Sequence, residues 1–167
     1  MKRNFIITSL SLFMAMFIGC NGDKTAYIDV STVYGDFALS KKLEKEREMV
    51  VNSRQAQLDS IQIELNQISK KFQFKVDSNQ LRYFNRKREE YYYKERQFAE
   101  DNQALLNQHN EQIMKQLNQY IEDYGKEKGY TYIYGATGNG SMMYADEKVN
   151  ISKEVIYYIN DKYNGVK

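Results

Sequence analysis

Between Gly35 and Gly125 lie 89 residues without a glycine, and the whole chain contains no proline. The interval is rich in Glu, Lys, Arg, Gln and Leu, and all nine glycines fall outside it. A run of good helix formers with no breaker folds as helix. One unbroken helix of that length would reach about 130 Å at ~1.5 Å per residue, so the chain is expected to reverse inside it. The reversal is expected at Val76-Asp77-Ser78-Asn79-Gln80, where adjacent Asp, Ser and Asn favour caps and turns over helix interiors. The first arm then runs roughly over 40–76 and the second over 79–127, as two antiparallel helices of about 60 Å.

The arms carry a coiled-coil seam. Leu58, Ile61, Leu65, Ile68 and Phe72 alternate steps of three and four, while Phe84, Tyr91, Phe98 and Leu105 recur every seven and lead into Ile113, Leu117, Tyr120 and Tyr124. Four residues after each of the first four members of the second series stand Arg88, Glu95, Asn102 and His109, all polar. The middle of the second arm therefore packs on half a heptad set, and such a hairpin should bend and breathe.

The two ends read differently. Thr25–Val30 has strand character, and Tyr130, Tyr132 and Tyr134 alternate with Thr131 and Ile133. A turn over Gly135–Gly140 is expected to lead into a third strand, Ser141–Ala145. Ser152 is a candidate cap for a last helix, with Ile151 and Ile156 placed for a hydrophobic staple and Val155, Ile156, Ile159 and Tyr163 on the buried side. The organisation read here is a segment 1–19, body residues 20–39, an arm over 40–124 and the rest of the body over 125–167. The fold class is α+β: a helical hairpin on a small three-stranded body with a C-terminal helix. A 63-residue body under such arms is marginal alone, and association is the simplest remedy.

Residues 1–19 read as a secretory signal peptide. Lys2 and Arg3 precede the largely apolar run Phe5–Ile18, whose 14 residues would span about 21 Å of the ~30 Å bilayer core. Phe17-Ile18-Gly19-Cys20 resembles a bacterial lipobox, which implies lipidation of Cys20 and attachment to a membrane. A single Cys excludes an intramolecular disulfide, and one Cys with one His cannot assemble the usual four-ligand zinc set.

Beyond the leader the chain has 22 basic and 22 acidic residues, so bulk basicity gives no support for nucleic-acid binding. The balance is local. From Lys70 to Arg96 nine bases (Lys70, Lys71, Lys75, Arg82, Arg86, Lys87, Arg88, Lys94 and Arg96) face four acids, a charge of +5 around the expected tip. Such a tip suits acidic partners or anionic lipid, or is simply a solvated helix end. Tyr91-Tyr92-Tyr93 spans about 200° of a helix, so the three cannot share one seam, and at least one is expected to be exposed or between subunits.

No catalytic constellation is found. Gly135 and Gly140 have a phosphate-loop interval, but Ser141-Met142 stand where Lys and Ser or Thr are needed. His109 reads as a seam or flank polar residue, Glu89-Glu90 and Glu100-Asp101 as solvated pairs, and Met142 and Met143 as strand packing. No enzyme activity, cofactor or metal is expected.

Tyr27-Ile-Asp-Val-Ser-Thr-Val-Tyr34 and the stretch Tyr132–Ile159, with Gly-Asn-Gly-Ser-Met-Met-Tyr-Ala-Asp and Ile-Ser-Lys-Glu-Val-Ile inside it, resemble the Skp (OmpH-like) family of periplasmic chaperones. The similarity covers about residues 25–163, the arms being less specific than the ends. It implies a jellyfish-like homotrimer joined through its β body, whose arms enclose unfolded outer-membrane proteins without ATP, in the periplasm of a Gram-negative bacterium. Clients would meet the basic tip, from Lys70 to Arg88, and Tyr91, Tyr92 and Tyr93. The lipobox-like segment adds anchoring to the outer membrane. The alternative is a lipid-anchored coiled-coil scaffold that holds no client.

Overall fold

The computed structural model describes residues 22–72 and 77–166. The expected signal peptide, Cys20, Lys75 and Val76 lie outside them. The chain opens with β1, Thr25–Asp29, which points Ala26 and Ile28 into the core. Helix α1 follows at once over Val30–Asp36, because the Asp29 carboxylate accepts the Thr32 N–H at 2.9 Å and caps it. This helix falls in residues read from sequence only as part of the β body. Phe37 breaks it with an extended backbone, and α2 restarts at Ala38 and runs to Lys71.

Helix α3, Ser78–Lys128, returns along α2, which ends at Lys71. Ser78, Asn79 and Gln80, expected in the turn, begin the second helix instead, and Asp77 stands at its N-cap. The arms are unequal, about 51 Å for the 34 residues of α2 and about 77 Å for the 51 of α3. The extra length of α3 reaches the body. Leu58, Ile61 and Leu65 are buried in the seam, while Phe84, Tyr91, Phe98 and Leu105 are half-buried, as a half-apolar seam requires.

Gly125 lies inside α3, and Gly129 ends the helix. Its φ of 70° reverses the chain and lets Tyr130 N–H donate to the Gly125 carbonyl at 2.9 Å. Strand β2, Tyr132–Ala136, then pairs parallel to β1, with Tyr27 opposite Tyr134 and Ile28 opposite Gly135. Gly135 thus belongs to the strand and not to the expected turn.

Among the described residues the sheet has two strands, not three. Ser141–Ala145 forms no strand, and Met143 and Tyr144 are 89% and 86% exposed. The free side of β1 is met instead by Asn150 and Ile151, through a bridge from Tyr27 and the bond from Ile151 N–H to the Tyr27 carbonyl at 2.9 Å. A 3₁₀ turn, Glu147–Val149, delivers the chain to that position.

The last helix, α4, covers Ser152–Asn164. Ser152 does not cap it. Its hydroxyl accepts the Asp29 N–H at 2.8 Å and donates to Asn150 Oδ1 at 2.6 Å, and the same Oδ1 accepts the Ser152 N–H. Val155 and Ile159 are wholly buried, with Ile156 and Tyr163 half-buried against the same core. That core gathers Ala26, Ile28, Val33, Phe37, Ile113 and Leu117 around Phe37, whose ring meets Tyr120 and Tyr163 edge-on at 6.1 and 5.6 Å.

Candidate functional site

The arms carry most of the side chains singled out for binding. Lys70 and Lys71 sit exposed in the last turn of α2, where cations complement the carbonyl end of a helix. Across the reversal, Arg82, Arg86 and Arg88 are exposed on α3. Arg82 donates to Asn79 one turn earlier, and Arg88 lies 5.9 Å from the ring centre of Phe84, which packs edge-on against Phe72.

Lys87 differs from its neighbours. It is half-buried between Glu64 at 3.4 Å and Glu90 at 3.1 Å, and among the described residues it is the one base of the tip in an ion pair. Tyr83 donates to the same Glu64, at 2.5 Å. That hydrogen bond, helped by Lys87, holds the Glu64 carboxyl below its ordinary range, while the Glu90 hydrogen bond raises the Lys87 ammonium. Glu64, Tyr83 and Lys87 therefore register α2 against α3, whereas Lys70, Lys71, Arg82, Arg86 and Arg88 are exposed and make no ion pair among the described residues.

The three consecutive tyrosines separate as their helical spacing demands. Tyr91 is half-buried and donates to Glu95 at 3.4 Å, with its ring edge-on to Tyr92. Tyr92 and Tyr93 are 60% and 59% exposed. Exposed phenols offer apolar area and a hydrogen-bonding tip together, which suits contact with varied polypeptide surface.

Further exposed apolar side chains add to this surface: Met49, Val50 and Ile63 on α2, and Leu81 and Met114 on α3. They were not singled out from sequence, although Ile63 is legible there as an apolar residue two places from seam members Ile61 and Leu65. A second surface lies on the body. Tyr132 and Tyr134 stack at 5.9 Å on β2, both half exposed, with Met143, Tyr144 and Tyr157 also exposed.

No cluster of potential metal ligands, and no helix long and apolar enough to cross a membrane, occurs among the described residues. Neighbouring carboxylates on the arms are exposed or bonded to Arg, Lys or Tyr partners, as with Arg54 and Asp101 at 3.7 Å.

A small α/β body bearing two long antiparallel helices, with charge and aromatic groups displayed along them, defines a hairpin-armed α+β protein. The chain belongs to the OmpH-like outer membrane protein family, whose profile it matches over residues 24–159. It is similar in fold to a candidate outer membrane chaperone (OmpH-like) from Caulobacter crescentus. The TM-score is 0.72 at 12% identity, over 86% of this chain and 88% of that one. No curated protein matches the chain.

Proposed function

We propose that the chain is an ATP-independent holdase of the bacterial periplasm, working as a homotrimer whose arms shelter unfolded outer-membrane proteins. The observation that carries this reading is the exposure, along the arms and outside their seam, of Tyr92, Tyr93, Met49 and Ile63. Apolar and aromatic groups left in water along a flexible hairpin give many weak contacts, and a client held by them is withdrawn from aggregation. The bases of the tip add steering toward acidic client segments or anionic lipid. The body supplies the proposed trimer contact: β2 is paired on one edge only among the described residues, and exposed Tyr132, Tyr134, Met143 and Tyr144 lie on or near it. Lipidation of Cys20 would tether the assembly to the outer membrane.

The test is refolding of a denatured outer-membrane barrel diluted into buffer with and without the protein, with aggregation followed by light scattering. Suppression of scattering near one assembly per client, without nucleotide, is expected. Unchanged scattering at several-fold excess, with the assembly intact, would favour a scaffold without clients.

A further inference from the structure

Three asparagines of this chain, Asn21, Asn139 and Asn164, are each followed by glycine. Asparagine in that position can lose its side-chain amide without an enzyme, because the next peptide nitrogen attacks the carboxamide carbon and glycine has no Cβ to obstruct it. Sequence alone ranks the three alike, and the fold does not. Asn21 lies outside the described residues. Asn164 is the last residue of α4, and the Gly165 N–H donates to the Lys162 carbonyl at 3.3 Å. The nitrogen that would attack there is tied into a helix end.

Asn139 stands in the exposed stretch between β2 and the 3₁₀ turn. Gly140 has a φ of 90°, and its N–H donates to no backbone carbonyl among the described residues. The carboxamide itself is held. Its Oδ1 accepts the Thr137 hydroxyl at 2.5 Å and, more weakly, the Ser141 N–H at 3.4 Å. The second bond closes an Asx turn across Gly140, so the side chain folds back over the peptide whose nitrogen must attack. Both donors meet the one oxygen that gains charge when the nitrogen adds, which is where preorganised donors speed a reaction.

We propose that Asn139 is a self-modification site, whose carboxamide becomes a carboxylate in the folded chain with water as the only co-reactant. Hydroxide from water takes the proton of the Gly140 nitrogen, which bonds to Asn139 Cγ while the C=O π pair moves onto Oδ1. Return of that pair breaks the Cγ–Nδ2 bond, and Nδ2 leaves with a proton from water as ammonia. Water then opens the cyclic imide. Cleavage at Cγ gives aspartate, and cleavage at the Asn139 main-chain carbonyl gives isoaspartate. Either product adds a negative charge to the stretch that carries exposed Met143 and Tyr144, and isoaspartate also routes the backbone through Cβ. The surface proposed above for assembly therefore alters as the protein ages. The chemistry does not depend on the holdase reading.

Trypsin releases residues 129–148, in which Asn139 is the one Asn or Gln, and residues 163–167, in which Asn164 is. The full chain is incubated at mildly alkaline pH, and both peptides are followed by mass spectrometry against a fresh sample. The first should exchange NH for O about tenfold faster than the second, since attack at Asn164 first requires the helix end to open. In guanidinium chloride, which removes the fold, the two rates should become alike. Thr137→Val keeps the shape and deletes the donor. It should slow conversion in the native chain about fivefold, the worth of one hydrogen bond to a group gaining charge, and leave the rate in denaturant unchanged. Equal rates at the two peptides in the native chain, or faster conversion at Asn164, would overturn the proposal. A native rate untouched by Thr137→Val would overturn the part assigned to its hydroxyl.

Discussion

Asn160 shows how much of this fold rests on single polar side chains. Its Oδ1 accepts the Ala38 N–H at 2.7 Å, and its Nδ2 donates to the Asp36 carbonyl at 3.1 Å, so one amide from α4 spans the break at Phe37. Asn160→Ala would leave both backbone groups without that partner, and a loss of about 1–3 kcal/mol by urea unfolding is expected. A loss under about 0.5 kcal/mol would mean that water replaces the amide. Gly135 is held by crowding: a Cβ there would stand 2.9 Å from Val30 Cγ2, at the start of a helix whose backbone is tied to β1 through Asp29. Gly135→Ala is therefore expected to cost about 1–3 kcal/mol, measured in the same way, because the parallel pair must spread. Neither role was legible in the sequence. Asn160 and Ala38 are 122 residues apart, and Gly135 read as a turn glycine because the close approach of Val30 leaves no local signature.

Among the elements, the long helices were legible and the small ones less so, for a physical reason. Helix propensity and a three-four seam act within a few residues, so the run without Gly or Pro announces itself. Helix α1 depends on a cap from Asp29 and on Val33 and Phe37 reaching a core built by α3 and α4, which local pattern cannot reveal. Ser141–Ala145, a mostly apolar run after a glycine-rich turn, reads as a strand, but the free side of β1 is filled by Asn150 and Ile151. The α3–α4 junction has a testable pH dependence. Glu127 accepts from Tyr158 at 2.6 Å and from Lys162 at 3.0 Å, and these bonds, Tyr158 first, lower its carboxyl below the ordinary 4.5. A lowered carboxylate stabilises the fold above its ordinary value and loses that contribution as pH falls through the folded one. Glu127→Gln should thus lower Tm by a few degrees or less at neutral pH, since the groups are exposed, and the gap should close below about pH 4. A gap independent of pH would assign the effect to packing of the amide.

At the scale of the whole molecule, the proposed function gives assembly and client binding different surfaces, so the two can be tested separately. A chain starting at residue 21 should elute as a trimer in gel filtration with light scattering, and a stable folded monomer at micromolar concentration would rule out association through the body. Two variants then divide the arms. Arg82, Arg86 and Arg88 are exposed, whereas Lys87 is bound to Glu64 and Glu90 and is best left in place to preserve the register of the hairpin. Changing the three arginines to Gln lowers the charge of residues 70–96 from +5 to +2 with little change in helix propensity. If steering by the tip matters, the association rate with an unfolded barrel should fall several-fold and lose much of its salt dependence, since exposed charges act over roughly 8 Å at physiological salt. Tyr92→Ser with Tyr93→Ser removes two exposed rings and leaves half-buried Tyr91 against Tyr92's former place on the same helix. That pair should leave the association rate nearly unchanged and raise the dissociation rate, because apolar contact holds a client once it has arrived. Opposite assignments, with the arginines governing release and the tyrosines governing capture, would reverse the roles of tip and arm. No effect from either set, with the trimer intact, would remove the arms from client binding.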